Sequence, residues 1–156
     1  MNLAVKSSKA PVKVLLADDD RDDRFFFNNA LSTLSISSEL TTVEDGEQLM
    51  KYLSKNSSQL PDVLFLDLNM PRKNGAECLA EIKKNKKLQQ LPVIIYSTSL
   101  HDVVADELYN QGAHYYIRKT DLAELAKVLH RVLTMMTEKK FVHPSRSEFV
   151  LSMVEA

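Results

Sequence analysis

The sequence predicts an α/β fold of the doubly wound kind, a five-stranded parallel sheet with helices on both faces. Three observations lead there. Short apolar runs alternate with longer segments whose apolar residues recur at spacings of three and four. One of those runs, Val63-Leu64-Phe65-Leu66, is apolar at every position, as a strand buried on both faces must be. Strand and helix alternate five times, which requires βαβ crossovers and therefore parallel pairing.

A chain of 156 residues suits one domain with a full core. Its 44% apolar and 26% charged residues are those of an ordinary globular protein. A net charge of −1 carries no basic footprint for nucleic acid or an anionic membrane, so neither is expected as a partner. No apolar run is long enough to cross a bilayer, and Met1 to Lys13 lacks the apolar centre of a signal peptide. The single cysteine, Cys78, permits no internal disulfide and fits a reducing, cytoplasmic setting. Residues 1–10 read as a flexible arm, 11–137 as the folded domain and 138–156 as a tail.

Lys13 to Ala17 is the first strand and runs into Asp18, Asp19 and Asp20. The helix after it takes Asp20 as N-cap, with Asp22 and Asp23 favoured in its first turn. Its inner face is Phe27, Ala30, Leu31 and Leu34. Phe25 and Phe26 make the helix start more apolar than one face requires, leaving a ring for a partner. Glu39 to Val43 is a short β-branched strand, and Asp45-Gly46 opens a helix burying Leu49, Met50 and Leu53. Ser54 to Pro61 is a polar loop. The Val63–Leu66 strand delivers Asp67 to its carboxyl end, and Asn69, Pro71 and Asn74-Gly75 make the turn that follows. Gly75 opens a helix with Ala76, Leu79, Ala80 and Ile82 inward, and Lys83 to Gln90 is its basic, solvated end.

Pro92 to Tyr96 is the fourth strand and ends in Ser97, Thr98 and Ser99. His101 to Gln111 is helical through Val103, Val104 and Leu108, with Gly112 as its stop. His114 to Ile117 is the fifth strand, followed by Arg118-Lys119-Thr120. The last helix, Asp121 to Thr137, buries Leu122, Leu125, Val128, Leu129 and Val132.

Ligands of open parallel sheets bind beyond the carboxyl ends of the strands. Those ends carry Asp18 and Asp19, Asp67, Ser97 and Lys119. Three carboxylates at one edge repel each other and raise their pKa values unless a cation sits among them. Oxygen ligands with no histidine or cysteine nearby favour Mg2+ or Mn2+ over zinc. Lys119 supplies a point charge for a phosphate oxygen and Ser97 a hydroxyl donor. Together these are the parts of a phosphoryl-transfer site, where positioning and charge neutralisation supply most of the catalysis. Asp67 is the candidate nucleophile, since aspartyl phosphates are established covalent intermediates.

The segments Val14 to Asp20, Pro61 to Pro71 with Gly75, Leu91 to Ser97, and Gly112-Ala113 leading to Tyr116-Ile117-Arg118-Lys119 resemble the receiver domain of two-component response regulators. Each motif alone is weak; in register over most of the chain they are specific. The resemblance implies a flavodoxin-like sheet of order 2-1-3-4-5 and Asp67 as phosphoacceptor. It implies Mg2+ held by Asp19, Asp67 and the Asn69 backbone carbonyl, with Asp18 acting through water. It makes Ser97 the switch hydroxyl, Tyr116 the switch aromatic and Lys119 the phosphate partner. The implied donor is a sensor histidine kinase or phosphotransfer protein. The implied output surface is the fourth helix, fifth strand and fifth helix, where a partner or second subunit docks. Asp67 to Gly75 and the long tract before Pro92 look most like stand-alone receivers that partner bacterial phytochromes and other hybrid sensors. One departure is Thr120, where the family commonly has proline after the lysine, often with a cis peptide.

Each candidate also has an ordinary reading. Asp18 and Asp19 could simply cap a helix, Asp67 could be a turn residue, Lys119 a solvated lysine and Tyr116 plain core. Ser97, Thr98 or Ser99 could cap the next helix. Asp20, Asp22 and Asp23 read as capping and surface charge, Cys78 as packing, and His101, His114, His130 and His143 as surface or loop residues. With few residues after Thr137, no output domain is expected, and the chain reads as a signalling switch rather than an enzyme. The competing class is a small phosphohydrolase with an aspartyl-phosphate intermediate, which usually needs a second aspartate where Asn69 stands. A phosphorylation-independent interaction module would not need the acidic and basic set. In the tail, Phe141-Val142, Phe149-Val150-Leu151 and Met153-Val154 are too apolar to stay solvated, and Pro144 prevents one continuous helix. The tail is expected either to pack back on its own domain or on a second subunit, extending a dimer interface, or to be a modestly ordered terminus.

Overall fold

Val63–Leu66 (β3) lies at the middle of the sheet with all four residues buried. The computed structural model describes residues 10–119, 122–138 and 142–151. Around β3 are Val12–Ala17 (β1), Arg21–Ser32 (α1), Ser38–Val43 (β2), Gly46–Lys55 (α2), Gly75–Lys84 (α3), Val93–Ser97 (β4), Asp102–Asn110 (α4), Tyr115–Arg118 (β5), Leu122–Thr137 (α5) and Val150–Leu151 (β6). The strands are parallel in the order β2-β1-β3-β4-β5-β6.

Among the described residues the sheet thus has six strands where five are expected, and the addition comes from the tail. Without β6, β5 would be an edge strand with an unpaired row of backbone groups. The register Tyr116↔Val150 and Ile117↔Leu151 closes that edge from within the same chain. Fully buried Phe149, just before β6, drives the docking by removing a large ring from water. Phe141 and Met153-Val154 lie outside the described residues, as do Thr120, Asp121 and most of the N-terminal arm.

Alternation along the strands divides the core into two layers. One face of Leu15, Leu64, Leu66, Val93, Ile95 and Tyr116 packs under α2, α3 and α4 through Leu49, Leu53, Leu79, Ile82 and Leu108. The other, of Val14, Leu16, Phe65, Ile94 and Ile117, packs under α1 and α5 through Phe27, Leu31, Leu129 and Val132. Tyr115 and Tyr116 fall on opposite faces. Among the described residues no helix is long and apolar enough to cross a membrane.

Caps start the helices where the sequence indicates. Asp20 and Asp45 accept from the amides of Asp23 and Gln48, and Asn74 forms a reciprocal capping box with Glu77. Helix α4 begins at His101 without a side-chain cap, so Ser97, Thr98 and Ser99 do not serve it. Gly112 ends α4 with a φ of 101°, a conformation open to glycine.

Several burial expectations need correction: Leu88 is buried within the tract read as solvated, Val142 stays 66% exposed, and both Phe25 and Phe26 face solvent rather than one ring. Ala76 is exposed, and Cys78 takes the inner position on α3. Val103 is 70% exposed, because Ala105 and Leu108 set the inner face of α4. His114 lies half-buried in the loop before β5; its amide donates to the Val93 carbonyl, and burial lowers its pKa to about 4, with Lys83 and His143 adding to the effect.

Candidate functional site

Parallel pairing assembles the site. Ala17 stands opposite Leu66, and the Asp67 amide donates to the Ala17 carbonyl at 3.0 Å. Asp18 and Asp67 therefore leave neighbouring strands side by side. Asp18 is fully buried, Asp67 is 4% exposed and Asp19 faces solvent. One oxygen from each of the three lies within 4.8 Å of the others. The Asp20 amide donates to Asp18 Oδ1 at 2.9 Å, and Arg24 Nη1 donates to the Asp18 carbonyl at 2.8 Å, fixing this corner.

Strand β5 delivers the counter-charge. Ser97 pairs with Arg118, and the next amide, that of Lys119, donates to the Ser97 carbonyl at 2.7 Å. The Lys119 ammonium then lies 2.9 Å from Asp18 Oδ2, 2.8 Å from Asp23 Oδ2 and 3.6 Å from Asp67 Oδ2. It sits 5.1 Å from the centre of the Tyr96 ring, within cation–π range. Asp23, read from sequence as surface charge, is thus part of the site, and so is Tyr96. The signal for Asp23 was its place one helical turn beyond Asp19 and Asp20.

Electrostatics follow from burial. Asp67 is pushed up to about 6, chiefly by burial; Lys119 opposes the rise while Asp18 and Asp19 add to it. Asp18 is raised for the same leading reason. Burial disfavours the charged Lys119, but its bonds to Asp23 and Asp18 outweigh that and hold it firmly protonated. Three carboxylates, Asp18, Asp23 and Asp67, thus share one ammonium, and Asp19 adds a fourth negative charge beside Asp18 and Asp67. An oxygen-only donor set with surplus negative charge fits a hard divalent cation.

Asn69 is exposed, and its amide donates to Asp67 Oδ1 at 3.3 Å. Ser97 is fully buried, and its hydroxyl has no hydrogen-bond partner among the described residues. Tyr116 is 1% exposed and donates its hydroxyl to the Ser99 carbonyl. A cleft lined by Leu68, Asn69, Ser99, His101 and Val104 opens beside it. Gly75 is required here: a Cβ at that position would collide with the Asp67 backbone carbonyl.

The profile of the response regulator receiver domain matches residues 14–130. The chain belongs to that family. Response regulator Rcp1 of Synechocystis is 33% identical over 138 residues, which cover 84% of this chain and 92% of that protein. The crystal structure of the phosphorylated cyanobacterial phytochrome response regulator RcpA superposes with a TM-score of 0.76 at 31% identity, covering 87% of this chain and all of that one. The Mn2+-bound form of Rcp1 gives 0.73 at 30% identity, covering 86% and 100%. This receiver is a response regulator of phosphorelay signalling, similar over most of its length to Rcp1 and RcpA, and the phosphohydrolase alternative gives way to it.

Proposed function

We propose that the receiver accepts a phosphoryl group on Asp67 from a histidine kinase or phosphotransfer protein. The carrying observation is one nearly buried carboxylate set between Asp18, Asp19 and the Lys119 ammonium. An Asp67 carboxylate oxygen attacks phosphorus; the new P–O bond forms as the donor's P–N bond breaks, and the imidazole keeps the electron pair. Lys119 neutralises charge on the transferred group, and the Asn69 amide orients the Asp67 carboxylate. Asp18, Asp19 and Asp67, with the Asn69 carbonyl, would hold Mg2+, which neutralises phosphoryl charge when bound. The manganese ion in the similar Rcp1 structure supports a divalent cation at this place. Hydrolysis later breaks the P–O bond and returns the carboxylate and inorganic phosphate.

In this reading Ser97 donates to the phosphoryl group, and Tyr116 carries the change to α4, β5 and α5, with β6 as the outer strand. A partner or second copy of the chain docks there, and the exposed Val103 supports an apolar contact on α4. The phytochrome regulators among the similar structures support a photoreceptor kinase as donor. Acetyl phosphate with Mg2+ tests the chemistry. The expected result is one hydroxylamine-labile phosphate per chain, absent from Asp67→Asn; continuous turnover of phosphoesters would instead mark a hydrolase. A phosphotransfer profile across histidine kinases identifies the donor.

A further inference from the structure

We propose, resting on Asp67 as the phosphoacceptor, that Asp23 is a positioning residue for Lys119 that competes with the phosphoryl group for its ammonium. Asp23 thereby sets how tightly the phosphorylated state is held. An ammonium has three N–H donors. Here its two close partners, Asp23 at 2.8 Å and Asp18 at 2.9 Å, are aspartates other than the acceptor. Asp67, at 3.6 Å, lies beyond hydrogen-bond distance. The ammonium cannot swing far, because its backbone is tied to Ser97 and its side chain is only 9% exposed. Two aspartates thus hold the ammonium away from the acceptor, and a phosphoryl oxygen on Asp67 engages its third N–H only by drawing Lys119 towards itself, against those two contacts.

The two competitors differ in how readily they yield. Asp18 is wholly buried, so leaving it without the ammonium incurs the cost of an uncompensated interior charge. The Asp23 side chain is 31% exposed, and water can solvate it once Lys119 leaves. Its place is nevertheless secure, since its amide donates to the Asp20 cap at 3.0 Å. Asp23 is thus the contact that gives way. Its charge also opposes the anionic phosphoryl group, so both effects of removing it act in one direction.

The test is a 19F NMR titration of the full chain with beryllofluoride, a phosphoryl mimic, at saturating Mg2+. Asp23→Asn keeps size and leaves the Asp20 cap in place; Asp23→Ser replaces it if it does not melt cooperatively. The expected result is binding about tenfold tighter than wild type, equivalent to about 1.4 kcal/mol. The lifetime of the aspartyl phosphate should lengthen in the same variant. Asp22→Asn removes the same charge from an exposed neighbour and should leave affinity within about twofold, since screened surface charges act weakly. The 15N–1H resonance of the Lys119 ammonium should shift in metal-free Asp23→Asn and converge on wild type once beryllofluoride is bound. Equal or weaker binding by Asp23→Asn, an equal gain from Asp22→Asn, or a Lys119 difference that persists in the bound state overturns the proposal. Failure of wild type to bind beryllofluoride, or equal binding by Asp67→Asn, removes the acceptor reading itself.

Discussion

The Tyr116 amide donates to the Phe149 carbonyl at 3.0 Å, and the two rings meet edge-on with centroids 6.2 Å apart. The residue implied as the family's switch aromatic is therefore bound to the segment that closes the sheet. Around this contact, Tyr109 also meets Phe149 edge-on, stacks on His143 and donates to the Pro144 carbonyl at 2.6 Å. Arg146 pairs with Asp106 on α4. The tail is an integral part of the α4–β5 region.

Phe149→Ala should therefore destabilise the whole domain, by about 3–5 kcal/mol for loss of a buried aromatic ring. Urea unfolding measures it as a lower midpoint. Truncation after Thr137 should lower the melting temperature in the same way. An unchanged midpoint for both would show that the docked tail contributes nothing to stability.

Ser97→Ala should still take up phosphate but lose most of the phosphate-dependent change in partner affinity or dimerisation. The hydroxyl is buried without a hydrogen bond among the described residues, so it is available to an incoming acceptor oxygen. Sedimentation of wild type and variant with and without beryllofluoride reads the result. A wild-type response from Ser97→Ala would move the switch elsewhere.

Asp67→Asn should abolish phosphorylation and, without divalent cation, raise stability. The sign follows from proton linkage: a folded pKa of about 6 against an ordinary 3.8 means that the folded state binds more protons between those values. The stabilising proton is present at low pH and is lost as pH rises through about 6. The asparagine variant escapes that loss, on the order of 2–3 kcal/mol at neutral pH. Melting curves in chelator compare the two proteins. Added Mg2+ should close the gap by stabilising wild type, by about 2.7 kcal/mol at a hundred times its Kd.

His114 should make the domain acid-sensitive. Its pKa falls from 6.5 to about 4 on folding, chiefly through burial, and its ring accepts from the Val93 amide at 3.4 Å. The unfolded chain then binds more protons between those values, so stability is undiminished above about 6.5 and falls as pH drops towards 4. The loss is on the order of 2–3 kcal/mol. Asp67 works in the opposite sense over part of the same window, so the measurement is the difference between wild type and His114→Gln. A pH-independent difference would contradict the half-buried, neutral histidine.

The sequence by itself determined the alternation of strands and helices, because a buried strand and an amphipathic helix each leave a local period in the chain. It also determined which residues reach the sheet edge. Asp18, Asp67 and Ser97 follow directly on apolar runs, Asp19 and Lys119 come one residue later, and parallel strands end on the same side. What the tertiary structure alone decided lies where partners are distant or where two faces compete. Lys119 and Asp23 are 96 residues apart and meet only because the first turn of α1 overhangs the end of β5. The outward turn of Ala76 and Val103 depended on Cys78 and Ala105 facing the core, a choice of helix rotation that small apolar residues do not resolve. The apolar tail announced that it would be buried, yet not where. The open edge of β5 decided that, by offering backbone hydrogen bonds beside the apolar layer in which Phe149 is buried.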